Sequence, residues 1–434
     1  MTLLSLLVIQ MGWSQRQVQK WDLDSCINYA MKQNIQIKKS KIALEESRED
    51  TKTARAAMFP SLSFSSSHSL VTTPLNNAGE GNRSSYSGNY GFNSELTVYD
   101  GGKRTKAIEQ SGIQNRIKEL SISQAEKDIR IAITQNYIQI LYAYESVKTN
   151  QSTVDLSLAQ LNRAKELLKA GSKSKSDVAQ LESQYSTDKY QLVVAETTLK
   201  DYKLQLKQLL ELDGNEEMDL LLPELQDNNV LLPLPDKMSV YSTALSIMPE
   251  IESSKLNTQS ANMDVVIAKA GYMPTLSLSA GVGTSHTTGT NFTFGQQVKN
   301  GWNNSIGLSL NVPIFNNRKT KSAVQKAKLQ VIDSELSELN EQKTLFKTIE
   351  TIYLDAVSSQ NRFKAATEKL QSTKTSYELI NEQFNLGMKN TVELLTEKNN
   401  VLSAQQEVLQ AKYMTILNIQ LLKFYQGEQI TLKN

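Results

Sequence analysis

The chain has 434 residues, a formal net charge of +2, 21% charged residues and one cysteine. That balance excludes a disulfide scaffold and a binder of polyanions held by bulk charge, so no nucleic-acid partner is expected. With 8 prolines, 19 glycines and only 7% aromatic residues, it favours long helices meeting along narrow apolar seams over one large core.

Residues 1–15 carry the run LLSLLVIQMGWSQ, with the apolar stretch and small-residue exit of a secretory signal peptide but no basic start. The competing reading is a buried N-terminal helix, since the run is too short to cross a bilayer. Export is the preferred reading. Cys26, in DSCINYA, sits on a helical pattern well beyond that run and reads as a small packing residue, not a lipid anchor. No later stretch holds about 18 consecutive apolar residues, so any membrane span has to be made of strands.

The chain is a duplication. Ala30 matches Ala244 and Pro60 matches Pro274 at an offset of 214; Tyr99 matches Phe315, Tyr137 matches Tyr353, Gly171 matches Gly387 and Asp177 matches Glu393 at 216. The first repeat spans 16–212 and the second 238–428, joined by an irregular linker rich in Pro, Asn and Asp at 213–237, with 429–434 as a tail. Each copy reads helix, strand, loop, strand, very long helix, short break, helix.

Strands are expected at about 61–74 and 86–99, and again at about 275–287 and 302–315. Leu62, Phe64 and Leu70 alternate with serines, and Tyr86, Tyr90, Phe92, Leu96 and Val98 alternate with Ser, Asn, Gly, Glu and Thr. In the second copy Leu276, Leu278 and Val282, then Ile306, Leu308 and Leu310, alternate with Ser, Gly and Asn. About ten residues per strand suits a tilted membrane span, and small wettable residues on the other face suit a watery lumen. A soluble sandwich would also alternate. His68 is an irregularity on the apolar face, tolerable near a headgroup boundary, and Pro313 falls at a strand end. Four strands cannot close a barrel, so the chain must pool strands with copies of itself; eight would leave a filled interior, whereas twelve could hold an aqueous pore.

From 103 to about 168 the chain runs without proline and with glycine only at Gly112, enough for a rod of about 100 Å. Beyond the break, Val178, Tyr185, Leu192, Leu199 and Leu206 recur every seven residues, as do Leu395, Leu402, Leu409 and Ile416, which makes coiled-coil seams. Between strand and rod, VYDGGKR and IFNNRKTK place Tyr99 and Phe315 for an interface girdle and Asp100 and Asn316 as N-cap acceptors, with Gly101, Gly102 and Asn317 easing the bend. Pro60 and Pro274, in FPSLS and MPTLS, stand where a helix becomes a strand. DGGK lacks the glycine spacing of a phosphate loop.

With the duplicated unit, the MFPSLS and YMPTLS joints, both strand-to-helix turns, the breaks LLKAGSKSKSDV and FNLGMKNTVELL, and the opening WDLDSCINYAMKQNIQI on the page, the chain resembles the TolC-like outer-membrane efflux proteins over nearly its whole length. The resemblance implies a mainly α fold with transmembrane β: a periplasmic α-barrel of coiled-coil helices, and four strands per chain of a twelve-stranded barrel closed by a homotrimer in outer-membrane lipid. It implies an outer-membrane location with the helical part in the periplasm, and passive export together with a periplasmic adaptor and an inner-membrane pump of RND or ABC type. The breaks, about 168–177 and 384–393, become hairpin tips that dock the adaptor through Gly171, Ser172, Ser174, Gly387, Met388 and Asn390. In the family the closed gate uses an acidic ring with restraining contacts from a Tyr and an Arg. Those positions fall on Glu393, on Phe384, which lacks the hydroxyl, and on Lys389, which lacks the bidentate fork; Ser176 and Asp177 come from the first tip. Thr396 stands where a second carboxylate is expected. A weakly latched gate with one acidic ring follows, against the plainer reading of solvated charges at a helical turn.

No cofactor, metal site or catalytic residue is expected. Two histidines, one cysteine and no paired carboxylates at nucleophile or metal spacing offer few catalytic parts. The alternative function is a structural periplasmic coiled-coil protein in which the strands merely cap the rods. Drug, metal and protein export are equally compatible with the sequence.

Overall fold

The structure is a computed structural model that describes residues 20–74, 82–214, 218–223, 225–227 and 230–432. The expected leader at 1–15 and most of the loop after residue 74 lie outside the described residues. In chain order the elements are β1 (Lys20–Trp21), α1 (Leu23–Gln33), α2 (Ile35–Ala56), β2 (Ser61–Pro74), β3 (Asn82–Tyr99), α3 (Lys103–Lys169), α4 (Lys175–Leu209), β4 (Asp219–Leu220), α5 (Lys237–Ile247), α6 (Pro249–Ala270), β5 (Thr275–Thr287), α7 (Phe294–Asn300), β6 (Asn303–Asn311), α8 (Lys319–Asn385) and α9 (Thr391–Tyr425).

The duplication is literal at the level of helix length. The corresponding helices have 11, 22, 67 and 35 residues in the first copy and the same lengths in the second. Helices before the strands are offset by 214 and those after them by 216, so the second copy carries its two extra residues in the strand and loop segment. The compact units cut across these repeats. One comprises the described residues of Met1–Lys38, Ala125–Ile247 and Leu345–Asn434; the other comprises those of Lys39–Gln124 and Met248–Thr344.

The first unit is helical. Its core gathers Cys26, Ala30, Ile133, Tyr137, Leu141, Leu206 and Leu210, where burial of each large aliphatic side chain stabilises by roughly 1.5–3 kcal/mol. Cys26 is fully buried and burial pushes its thiol up to about 12, as suits a packing residue. Asp22 caps α1 by accepting from the Ser25 N–H at 2.8 Å. The linker is irregular yet anchored: β4 pairs in parallel with β1, Val230 is completely buried, and the Gln360 amide donates to the carbonyls of Val230 and Leu232 at 3.0 and 2.8 Å. A two-residue parallel pair has no periodicity to read, so sequence patterns do not reveal it.

The second unit holds one sheet, in the order β2-β3-β5-β6, with every neighbouring pair antiparallel. Strands of the two repeats meet at β3 and β5, and the register puts Leu96, Leu278 and Leu308 in one row and Phe64, Phe92 and Val282 in another. Rows of Ser63, Asn93, Gly281 and Ser305 form the opposite face. Three details depart from expectation. The return strand begins at Asn82, four residues before 86, because its pairing with β2 continues to Pro74. β6 covers Asn303–Asn311 instead of about 302–315, since Pro313 has no N–H for the ladder and restricts Val312 before it. The loop before β6 is not wholly irregular: Thr293 and Gln296 make a capping box that starts α7.

Candidate functional site

The two helical breaks, in the first unit, are built alike. Gly171 and Gly387 both adopt φ of 77°, the left-handed conformation that a residue without Cβ enters at no steric cost. After α3 the N–H of Ser172 reaches the Leu167 carbonyl and that of Gly171 the Leu168 carbonyl, at 2.8 and 3.0 Å; after α8, Met388 reaches Gln383 and Gly387 reaches Phe384, at 2.8 and 3.1 Å. These are paired Schellman closures. Three residues after each glycine comes a cap, Ser174 for α4 and Asn390 for α9, each in a reciprocal box with the third helical residue, Asp177 or Glu393. A tip is thus a helix stop and a helix start with almost nothing between.

The same arrangement shows where the candidate gate residues lie. Asp177 accepts from the Ser174 hydroxyl at 2.7 Å and from the Thr391 hydroxyl at 2.6 Å, so it ties the first tip to the second. Thr391, a residue the sequence reading passed over, is buried. Its hydrogen bond, followed by those from Ser174, holds the Asp177 carboxyl below its ordinary value. Lys389 donates to Glu393 Oε1 at 2.5 Å, and with the Asn390 N–H it holds Glu393 low as well. The Phe384 ring lies 3.8 Å below the Lys173 ammonium, a cation–π contact across the tips. Ser172, Ser174, Ser176 and Asn390 are exposed. So are Leu386, Met388 and Val392, at 75, 71 and 57%.

A short distance along α4 and α9, Lys398 pairs with Asp188 at 2.5 Å with only 4 and 2% of their side chains exposed. Ser157 of α3 bonds to both, and Gln184 donates to the other Asp188 oxygen at 2.8 Å. Sequence reasoning missed this cluster. The signal was present: Lys398 falls between Leu395 and Leu402, and Asp188 between Tyr185 and Leu192, both inside otherwise apolar seams.

The joints belong to the second unit. Asp100 accepts from the Arg104 N–H at 3.2 Å and from its Nε at 2.8 Å, so it caps the first turn of α3 from two residues beyond the cap position. Arg104 also donates to the carbonyls of Ala57, at 2.9 Å, and Thr97, tying the end of α2, the end of β3 and the start of α3. In the second copy Asn316 is not the N-cap acceptor expected of it. Its amide donates to the Thr320 hydroxyl at 2.5 Å, and Thr320 donates to the Gly271 carbonyl at 3.2 Å. Arg104 and Thr320 stand 216 apart, so one position does the same task with two chemistries. Both bends use two successive left-handed residues, Gly101 and Gly102 at φ 72 and 82°, Asn317 and Arg318 at 50 and 62°. Pro60 and Pro274 stand immediately before β2 and β5. No group of three or more His, Cys, Asp or Glu side chains capable of holding a metal ion occurs among the described residues.

Two long helical hairpins, one from each repeat, and one open amphipathic sheet to which each repeat gives two strands define the TolC-like class of channel subunit. The chain belongs to the outer membrane efflux protein family, whose model matches residues 26–211 and 240–427, and its place is the outer membrane. It is 24% identical over 409 residues to the probable efflux pump outer membrane protein TtgC of Pseudomonas putida, covering 89% of this chain and 79% of that one. It is 22% identical over 315 residues to the outer membrane protein TolC of Escherichia coli, covering 70 and 62%. The fold is similar to that of CusC, with a TM-score of 0.79, 16% identity and 96% of both chains covered. It is also similar to the Campylobacter jejuni CmeC outer membrane channel, with a TM-score of 0.77, 20% identity and coverage of 95 and 87%. The family consists of channel proteins rather than enzymes.

Proposed function

We propose that three copies of this chain pool their strands into a twelve-stranded barrel and act as the passive outer-membrane duct of a tripartite export assembly, receiving cargo from a periplasmic adaptor and an inner-membrane pump of RND or ABC type. The observation that carries this reading is the sheet. Its apolar face is bare, with Leu62, Ile306, Leu308 and Leu310 exposed by 75, 84, 68 and 64%; its other face is mostly Ser, Gly and Asn, with Glu95 and Thr97 among them; and its outer strands, β2 and β6, each lack a neighbour on one side among the described residues. An exposed apolar face with unpaired edges is unstable in water, whereas in lipid it needs only neighbouring sheets to close it. A second feature supports self-association: on α8, Leu329, Ile332, Leu336 and Leu339 follow coiled-coil spacing yet are 57, 52, 62 and 47% exposed, a seam that a second helix would cover. A periplasmic spacer would leave both surfaces in water.

In this reading the tips are the gate and the docking point. Glu393, supplemented by Asp177, provides the acidic ring, and Lys389, by pairing with Glu393 inside one chain, weakens the ring's field and the latch between chains. The exposed Leu386, Met388 and Val392 offer the adaptor an apolar contact beside the left-handed glycine. The names of the relatives range from an antibiotic efflux pump protein to an alkaline protease secretion protein, and a lumen of small polar residues suits cargo selection elsewhere, in the pump. Outer-membrane fractionation and the mass of the detergent-solubilised particle test the assembly; a monomer released by osmotic shock refutes it. Planar-bilayer conductance tests the gate. Glu393→Gln is expected to reduce cation selectivity and divalent block, and an unchanged current would remove Glu393 from the gate while leaving the duct intact.

A further inference from the structure

The chain contains two histidines, 218 residues apart, and the sheet brings them to one row. His68 on β2 pairs with Gly88 on β3, and Gly88 pairs with His286 on β5. The side chains therefore flank a position that has none. The Nδ1 atoms of His286 and His68 lie 2.8 and 3.2 Å from the point where a Cβ of residue 88 would stand. Tyr86, two residues along the same face of β3, hydrogen-bonds through its hydroxyl to His68 Nδ1 at 2.8 Å. His286 Nδ1 is buried and has no hydrogen-bond partner among the described residues, a state that costs free energy unless something else engages that nitrogen.

We propose that His68, His286 and Tyr86 form a binding site for a late first-row divalent cation, Zn²⁺, Cu²⁺ or Ni²⁺, seated over Gly88. Two imidazole nitrogens and a phenolic oxygen are the donor set these borderline ions take, with water completing the shell, whereas Mg²⁺ and Ca²⁺ require more oxygens than this surface offers. Both Nδ1 atoms converge on the space that a side chain at residue 88 would fill. Gly88 is what makes the convergence possible, since a Cβ there would approach His286 Cε1 to 2.4 Å. Aromatic neighbours orient the ligands: Tyr90 stacks on His286 with ring centroids 5.8 Å apart and meets His68 edge-on at 5.4 Å, while Phe294 meets His286 edge-on at 4.8 Å. Such a shell fixes ring orientation. His68 Nε2, facing away, hydrogen-bonds Ser66 at 3.0 Å, a second tether of the kind that holds a ligating imidazole in one tautomer. Bound, the ion would bolt three strands together and join the two repeats across the β3 and β5 pairing. The site does not depend on the duct reading, since all its donors lie in one sheet of one chain.

The test uses the full-length protein in detergent without an oligohistidine tag, so that these two imidazoles are the chain's only ones. After stripping with chelator, titration calorimetry with Zn²⁺ is expected to show one ion per protomer, and the electron paramagnetic resonance spectrum of the Cu²⁺ form is expected to show hyperfine splitting from two nitrogens. His68→Asn and His286→Asn should each weaken Zn²⁺ binding by about tenfold or more, and Gly88→Ala should weaken it by displacing the His286 ring. A wild-type Cu²⁺ spectrum without imidazole nitrogen, or wild-type Zn²⁺ affinity in the His68→Asn, His286→Asn double variant, overturns the proposal. The spectrum needs no substitution, so it decides the matter even if a variant fails to fold.

Discussion

Replacing Lys398 with Met probes the ionic pin between the seams. In the native chain the ammonium touches both Asp188 and Ser157, and hardly any of either charged side chain reaches water. Lys398→Met keeps the length of the stem and removes the charge, leaving a carboxylate buried among α3, α4 and α9. Breaking a buried pair from one side costs about 3–5 kcal/mol, because the remaining charge has lost both water and partner. Asp188 retains donors from Ser157 and Gln184, which puts the expected loss near the lower end, about 3 kcal/mol. At 2–4 °C per kcal/mol for a unit of this size, melting should fall by roughly 6–12 °C. The double variant Lys398→Met, Asp188→Leu should recover most of this, since an apolar replacement of the whole pair is often neutral. Thermal melts followed by helical ellipticity in detergent would measure all three proteins, with Asp188→Leu alone closing the cycle. If Lys398→Met melts within about 1 kcal/mol of the parent, or if the double variant is no better than the single, the pair is not the pin described.

The remaining predictions concern the tips and joints. Gly171→Ala and Gly387→Ala meet open space at the added Cβ, so the cost is conformational, about 1–2 kcal/mol each, with Asn the milder substitution; hydrogen exchange at the tip amides would register it. Asp177 and Glu393 titrate below their ordinary values of 3.8 and 4.5, so their contribution is complete above those values and is lost as pH falls through the depressed folded ones. Tip amide protection should therefore be unchanged between about pH 6 and 8 and drop once the pH falls below those ordinary values, and Asp177→Asn should remove the drop at the first tip while leaving the Glu393 share at the second. Arg104→Gln removes the tether from α3 to Ala57 and Thr97 and should increase proteolysis at the 97–104 joint, whereas Arg104→Lys should rescue only in part for want of the fork.

The repeats, the strand positions and both tip glycines were legible because each leaves a periodic or conformational mark. Alternation of serine with leucine states a two-faced strand, and a glycine between two heptad runs states a left-handed stop. Other features leave no such mark. The Asp177 to Thr391 bond joins residues 214 apart, and the Phe384 ring takes its cation, Lys173, from the other tip, which no spacing rule along one tip could reveal. Asn316 copies Asp100 in position, but an amide can donate where a carboxylate only accepts, and the partner at residue 320 chose the direction.

The chain's own order of residues determined the duplicated plan, the element types, the helix lengths and the two-faced strands, because these follow from local backbone preference and the period at which apolar groups recur. Tertiary structure decided which strands became neighbours, that β3 pairs with β5 across the repeats, and that Lys398 meets Asp188 and His68 faces His286 over Gly88. Those pairings depend on side chains far apart along the chain entering the same small volume, where packing and the need to satisfy buried polar atoms select one partner among many.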